Sequence, residues 1–226
     1  LVYPAHGAGS LCGKNMSEDT VSTIGVQRQY NYALQPMSQD EFIRIVTADQ
    51  PDTPDYFTYD AILNTKEPPT LQSSLSHGLK PLSVAEVCTR RGEGCHLLDT
   101  REPSEFAGAH LTGSLNIGLQ GKFATWAGTL LDAEGPIVLI AEPGREEESA
   151  MRLGRIGFDR VTGFLDGGML ALESEPDLVS RVDRITAGAL SERLESPGLS
   201  VIDVRTANEW KESHIPSSVS LPLNQL

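Results

Sequence analysis

The sequence predicts an α/β protein: a three-layer domain built on a parallel sheet, then the first half of a second copy of that domain. Three observations predict it. First, Asp99, Arg101, Glu105, Phe106, His110 and Leu111 recur as Asp203, Arg205, Glu209, Trp210, His214 and Ile215, at an offset of 104, the difference between Asp203 and Asp99. A repeat this long is a small domain used twice rather than a solenoid turn. Second, Ile137-Val138-Leu139-Ile140-Ala141 is an unbroken apolar run of strand length, as expected of a central parallel strand covered on both faces. Third, strand-like and helix-like stretches alternate from residue 80 to 176, the order that parallel βαβ units require.

The elements follow in order. Leu1-Val2-Tyr3-Pro4-Ala5-His6 reads as a strand running into a Gly/Ser-rich loop, Gly7 to Gly13. A helix is expected over about Ser22 to Leu34, ended by Pro36. Ser38 caps a second amphipathic run through Phe42 and Val46. Asp49 to Pro54 is a turn-rich break, and Lys66 to Gly78 reads as a linker. Ser83 then caps a helix, Val84 to Arg90, and Cys95 to Leu98 is a buried strand ending at Asp99. Phe106 to His110 is a short helix or turn, and Ser114 to Ile117 a short strand. After the apolar run come a helix over Glu147 to Ile156, the strand Val161 to Leu165 and the turn Asp166-Gly167-Gly168. Residues 185–226 restart the order, with a helix over Ala187 to Leu194 and a strand from Leu199 to Asp203. The expected boundaries are 1–75, 76–178 and 179–226.

Composition narrows the function classes. The chain has 226 residues, 39% hydrophobic and 22% charged, with a net charge of −13. An acidic surface repels phosphate, so unaided binding to nucleic acid or to an anionic membrane is not expected. No apolar stretch approaches the ~20 residues of a spanning helix. Three cysteines, Cys12, Cys88 and Cys95, show no metal-type spacing and fit reduced thiols in a cytoplasmic protein. Cys88 and Cys95 are expected to be buried small apolar residues, and Cys12 a bland loop thiol.

The repeated pattern D-x-R-x₃-E-Φ-x₃-H-Φ resembles the rhodanese domain. The resemblance implies a sulfurtransferase fold in which the central strand ends in a cysteine, followed by a C-x-x-G-x-R-S loop opening onto a helix. Backbone N–H groups and the helix dipole there stabilise the thiolate and its persulfide. Here the segment is Ala141-Glu142-Pro143-Gly144-Arg145-Glu146-Glu147-Glu148-Ser149. Ala141 sits where the nucleophile belongs, so no catalytic residue is expected in this copy. Glu146, Glu147 and Glu148 complement the helix dipole and disfavour an anionic sulfur group. The family's tryptophan after the Gly-Gly turn is absent, Met169 following Gly168. Asp99, Arg101, Glu105 and His110 are expected to serve the fold, and their recurrence says the same. The offset of 104 puts the second copy's cysteine position near residue 245, beyond Leu226.

Residues 1–75 resemble the last third of a metallo-β-lactamase-fold protein of the glyoxalase II and persulfide dioxygenase branch. In that branch a strand ends in Y-P-[AG]-H, matched here by Tyr3-Pro4-Ala5-His6. The resemblance makes His6 the metal-binding candidate, for iron or zinc, since imidazole suits both. The branch's H-x-H-x-D-H motif is absent from this sequence, and one histidine does not make a site, so the chain alone is not expected to hold a metal.

Proteins joining these two folds form a bacterial family, and the chain reads as a fragment of one. Its parent would be a metal-dependent persulfide dioxygenase or thiol-ester hydrolase acting on a small thiol or persulfide, such as glutathione persulfide. The alternative is a non-catalytic rhodanese-like binding or regulatory module. A self-standing thiosulfate sulfurtransferase is disfavoured by Ala141. A homo-oligomer is compatible with the sequence.

Overall fold

The structure is a computed structural model, and it describes residues 1–5, 18–48, 57, 61, 62, 64, 65 and 79–225. The chain divides into two compact units, Leu1–Thr53 and Pro54–Leu226. His6, Cys12, the Gly7 to Gly13 loop, the 49–54 break and the linker over 66–78 lie outside the described residues.

In the first unit, Val2 and Ser22 form an antiparallel bridge with two 2.8 Å hydrogen bonds. Helix α1 (Ile24–Tyr30) is shorter than the sequence predicts. The Thr23 hydroxyl caps its start by accepting from the Val26 N–H. Asn31 leaves helical geometry and its side chain accepts from the Ala33 N–H, so Tyr32–Leu34 becomes a separate 3₁₀ turn. Gln35 then donates to the carbonyls of Arg28, Gln29 and Asn31, supplying partners that a helix end lacks. Helix α2 (Gln39–Thr47) starts at Ser38, as its cap predicts. None of the described residues of this unit is buried.

The second unit holds a five-stranded parallel sheet in the order β1-β6-β5-β2-β4. Its strands are β1 (Pro81–Leu82), β2 (His96–Asp99), β4 (Leu115–Asn116), β5 (Ile137–Ile140) and β6 (Val161–Leu165). Helices α3 (Val84–Gly92), α4 (Pro103–Gly108), α5 (Phe123–Leu130) and α6 (Glu146–Gly154) connect them. Alternation along β2 and β5 divides the core. Leu98, Ile137 and Leu139 pack with Phe123, Ala127 and Leu153 on one face. Leu97, Val138 and Ile140 pack with Leu82, Val87 and Leu172 on the other. With both faces covered, every β5 side chain is fully buried, which is why that segment is uniformly apolar.

Helix α5 has no counterpart in the sequence reading. Phe123-Ala124-Thr125-Trp126-Ala127-Gly128 mixes small and β-branched residues with no side-chain cap, and Phe123 and Ala127 dropping into the core fix it. Cys88 and Cys95 are half-buried rather than buried, a departure from the expectation. Cys95 packs against the layer that Val87 and Leu97 fill.

Strand β3 (His110–Leu111) pairs antiparallel with β7 (Val179–Ser180), which staples the segment leaving the first copy back onto it. Beyond it lie α7 (Ala187–Arg193), β8 (Val201–Asp203), α8 (Ala207–Glu212) and β9 (Ser218–Ser220). β8 and β9 pair in parallel with Ile202 opposite Val219 and Asp203 opposite Ser220. In the first copy Leu98 faces Leu115 and Asp99 faces Asn116, so the repeat carries the strand register at both ends.

Candidate functional site

The repeated residues build the same bracket twice. Asp99 ends β2 and its Oδ1 accepts from the Arg101 backbone N–H at 3.0 Å. The Arg101 guanidinium returns onto the same carboxylate, Nε to Oδ1 at 3.0 Å and Nη2 to Oδ2 at 2.6 Å, and donates to the Ala109 carbonyl at 2.9 Å. Asp203 and Arg205 repeat every bond, with Ser213 in place of Ala109. The histidines repeat too. His110 Nδ1 lies 2.8 Å from the Phe106 carbonyl with its ring stacked at 3.9 Å on Phe106. His214 does the same against Trp210 at 3.8 Å. Asp99, Arg101 and His110, with their counterparts, fix the strand–helix turn.

The apex of the first copy lies where β2 and β5 end. Ala141 is buried at the end of β5. The turn after β6 packs tightly on it: a Cβ on Gly168, whose φ is +55°, would stand 2.9 Å from the Ala141 carbonyl oxygen. Beneath the loop, Thr100 donates its N–H to the Ile140 carbonyl, and its hydroxyl meets that of Ser149 at 2.9 Å. Ser149 donates in turn to the Arg145 carbonyl at 2.8 Å, so the hydroxyl pair anchors the first turn of α6.

A cleft of about 220 Å³ opens beside this apex, between Thr100, Arg101, Glu102 and Glu105 on one side and Glu142 and Arg145 on the other. Both guanidiniums are already engaged, Arg101 by Asp99 and Arg145 by Glu148 at 2.6 Å. The carboxylates of Glu102, Glu105 and Glu142 therefore dominate its charge. Glu142 is held above the ordinary glutamate range, first by a side-chain hydrogen bond with Glu105 and then by that carboxylate's charge. Of the three helix glutamates, Glu146 accepts from the Gly144 N–H and Glu148 pairs with Arg145 and Arg152. Glu148 is lowered by the Arg145 hydrogen bond.

More than half of the chain, residues 83–175 and 186–226, matches the model of the rhodanese-like domain. The chain belongs to the rhodanese-like domain family. Among solved structures, a metallo-β-lactamase from Staphylococcus aureus is similar at 26% identity and a TM-score of 0.55, covering 72% of this chain and 43% of that one. A thiosulfate sulfurtransferase from Pseudomonas aeruginosa is similar at 24% identity and a TM-score of 0.39, covering 69% of this chain and 31% of that one. A rhodanese-like domain from Anabaena is similar at 16% identity and a TM-score of 0.33, covering 41% and 98%. No curated protein matches the chain. The chain thus spans less than half the length of the metallo-β-lactamase chain.

Within this rhodanese-like domain, the Glu105–Glu142 pair is the feature that sequence reasoning missed. Glu105 belongs to the repeat and Glu142 follows Ala141, but 37 residues separate them and only the sheet order brings β2 and β5 side by side. Among the described residues no group of three or more His, Cys, Asp or Glu is placed to hold a metal, and no helix is long and apolar enough to cross a membrane. His6, the metal-binding candidate of the sequence, is outside those described.

Proposed function

We propose that the chain is the rhodanese-bearing part of a metallo-β-lactamase/rhodanese protein of sulfur metabolism, in which the first rhodanese-like copy binds or positions rather than transfers sulfur. One observation carries the second half of this reading. Ala141 stands at the end of β5, where the family places its nucleophile, and the adjoining cleft is lined by carboxylates whose neighbouring cations are occupied. A methyl group offers no lone pair to a sulfane sulfur, and the carboxylates repel thiosulfate. In the intact protein, His6 would join an iron or zinc site in a metal-dependent dioxygenase or hydrolase of a small thiol or persulfide, in the cytoplasm. The match with the staphylococcal metallo-β-lactamase supports that half.

The test is thiocyanate formation from thiosulfate and cyanide. The chain is expected to show only the uncatalysed rate. Ala141→Cys is expected to stay close to it, because the restored thiol would sit beside Glu142 with no free cation to lower its pKa. Saturable turnover by the unaltered chain would overturn the reading of the first copy. For the parent, a longer chain carrying H-x-H-x-D-H is expected to consume oxygen with glutathione persulfide, or to cleave its thioester, and to lose this in His6→Ala. A metal-loaded longer chain with neither activity would overturn that half.

A further inference from the structure

We propose that β8 pairs with the β8 of a second molecule of this chain, antiparallel about a two-fold axis at Ile202, so that the second rhodanese-like copy serves as an interface. The comparison of the two copies within the chain carries it.

The second copy repeats the half-sheet of the first bond for bond. Leu221 N–H donates to the Asp203 carbonyl and Leu223 N–H to the Val204 carbonyl. At the offset of 104, Ile117 N–H donates to Asp99 and Leu119 N–H to Thr100. What surrounds the two half-sheets differs. In the first copy β5 closes the far side of β2, and Leu98 is fully buried among Phe123, Leu139 and Leu153. In the second, among the described residues, β9 is the only strand beside β8. Ile202, the counterpart of Leu98, is 56% exposed, and Val219 opposite it is 61% exposed.

The first copy also identifies the backbone groups on the open side. His96 and Thr100 donate their N–H groups to the Pro136 and Ile140 carbonyls, so residues 96, 98 and 100 face β5. Their counterparts are Ser200, Ile202 and Val204. A strand edge with free N–H and C=O groups beside exposed aliphatic side chains is a template for another strand.

Charge and register favour a second molecule of the same chain. With Ile202 on the axis, its N–H and C=O meet the C=O and N–H of its symmetry mate, a hydrogen-bonded antiparallel pair. Val204 N–H then reaches the Ser200 carbonyl across the axis, and Asp203 falls opposite Val201. A register centred on Asp203 would set two carboxylates opposite each other, which is unfavourable. Asp203 is already paired with Arg205 at 2.6 Å, so the mate brings no unpaired charge to the axis. Val219, Ile202 and their mates then stand in one row across a four-stranded sheet. The first unit also exposes Phe42 and Ile43, but no covered counterpart elsewhere in the chain marks its face as one that packs. The row is small beside the roughly 800 Å² per partner of a stable interface, so the dimer is weak and depends on concentration. Each chain carries a net charge of −13, so salt strengthens the pairing.

The experiment is sedimentation velocity on the full chain over a wide concentration range, at low and high salt. A reversible monomer–dimer equilibrium that salt favours is expected. Ile202→Lys is expected to weaken it by about ten-fold or more, as a lysine on an edge blocks strand addition. That lysine lowers the net negative charge, so the loss cannot come from added repulsion. The Trp210 urea midpoint should stay unchanged in the monomer, since Ile202 is exposed. Phe42→Lys in the first unit should leave the dimer intact. A short thiol cross-linker should join Ile202→Cys to itself, mapped by peptide mass. Val219→Cys should not join, its mate being three strand spacings away, roughly 14 Å. A monomer at every concentration, a dimer indifferent to Ile202→Lys or a Val219→Cys link would overturn the proposal. So would an Ile202 amide protected from hydrogen exchange in the dilute monomer, which would mean that another segment of the same molecule covers β8.

Discussion

The twin Asp–Arg brackets offer one geometry in two environments, and Asp99→Asn against Asp203→Asn separates geometry from burial. In the first copy the Asp99 and Arg101 side chains are 0% and 9% exposed; in the second, Asp203 and Arg205 are 11% and 46% exposed. Removing one partner of a buried pair leaves the other charge desolvated, at about 3–5 kcal/mol. Arg101 keeps its bond to the Ala109 carbonyl, which places the loss near about 3 kcal/mol. With a urea slope of about 1–2 kcal/mol/M for a domain of this size, the midpoint falls by about 2 M. Solvent competes for the exposed pair, so Asp203→Asn is expected to move its midpoint little. The two tryptophans, Trp126 in the first copy and Trp210 in the second, report separately in Trp126→Phe and Trp210→Phe backgrounds. Equal shifts for the two substitutions would refute the argument that burial, rather than bond count, sets the value of the bracket.

Gly168→Ala is expected to destabilise the first copy by about 1–2 kcal/mol from the positive φ alone, and by more because its Cβ would press on the Ala141 carbonyl; an unchanged urea midpoint would count against the tight apex. In the second copy Glu209 is lowered by its hydrogen bonds to Thr206, and Asp203 by its hydrogen bond from Arg205. Depressed carboxylates stabilise above their unfolded values and lose this as pH falls, so the Trp210 urea midpoint should drop as pH passes below the ordinary 4.5 and 3.8. Thr206→Ala should flatten that dependence, and a midpoint that does not move with pH would refute it.

How much was legible varied with the range of the cause. The Ser38 and Ser83 caps, α2 and α3 were readable because a cap and its helix lie within one turn of chain. β5 was readable because a strand covered on both faces must be apolar throughout. Helix α5 was not, because only its packing with β5 and α6 in the core fixes it. Cys88 lies on its expected helix and Cys95 one residue ahead of β2, and both were expected to be more buried than they are.

The sequence by itself determined the repeat. The structure added that both copies share one strand register, Asp99 opposite Asn116 and Asp203 opposite Ser220. It also determined that Ala141 takes the place of a nucleophile, because the apolar run and the Gly-containing loop locate that position without coordinates. Only the tertiary structure decided what surrounds it. The pairing of β2 with β5 brings Glu105 and Glu142 to one cleft, and the bracket whose arginine is buried at Arg101 leaves it half-exposed at Arg205. Local bonds are set by neighbours along the chain, whereas charge balance and burial are set by neighbours across the sheet.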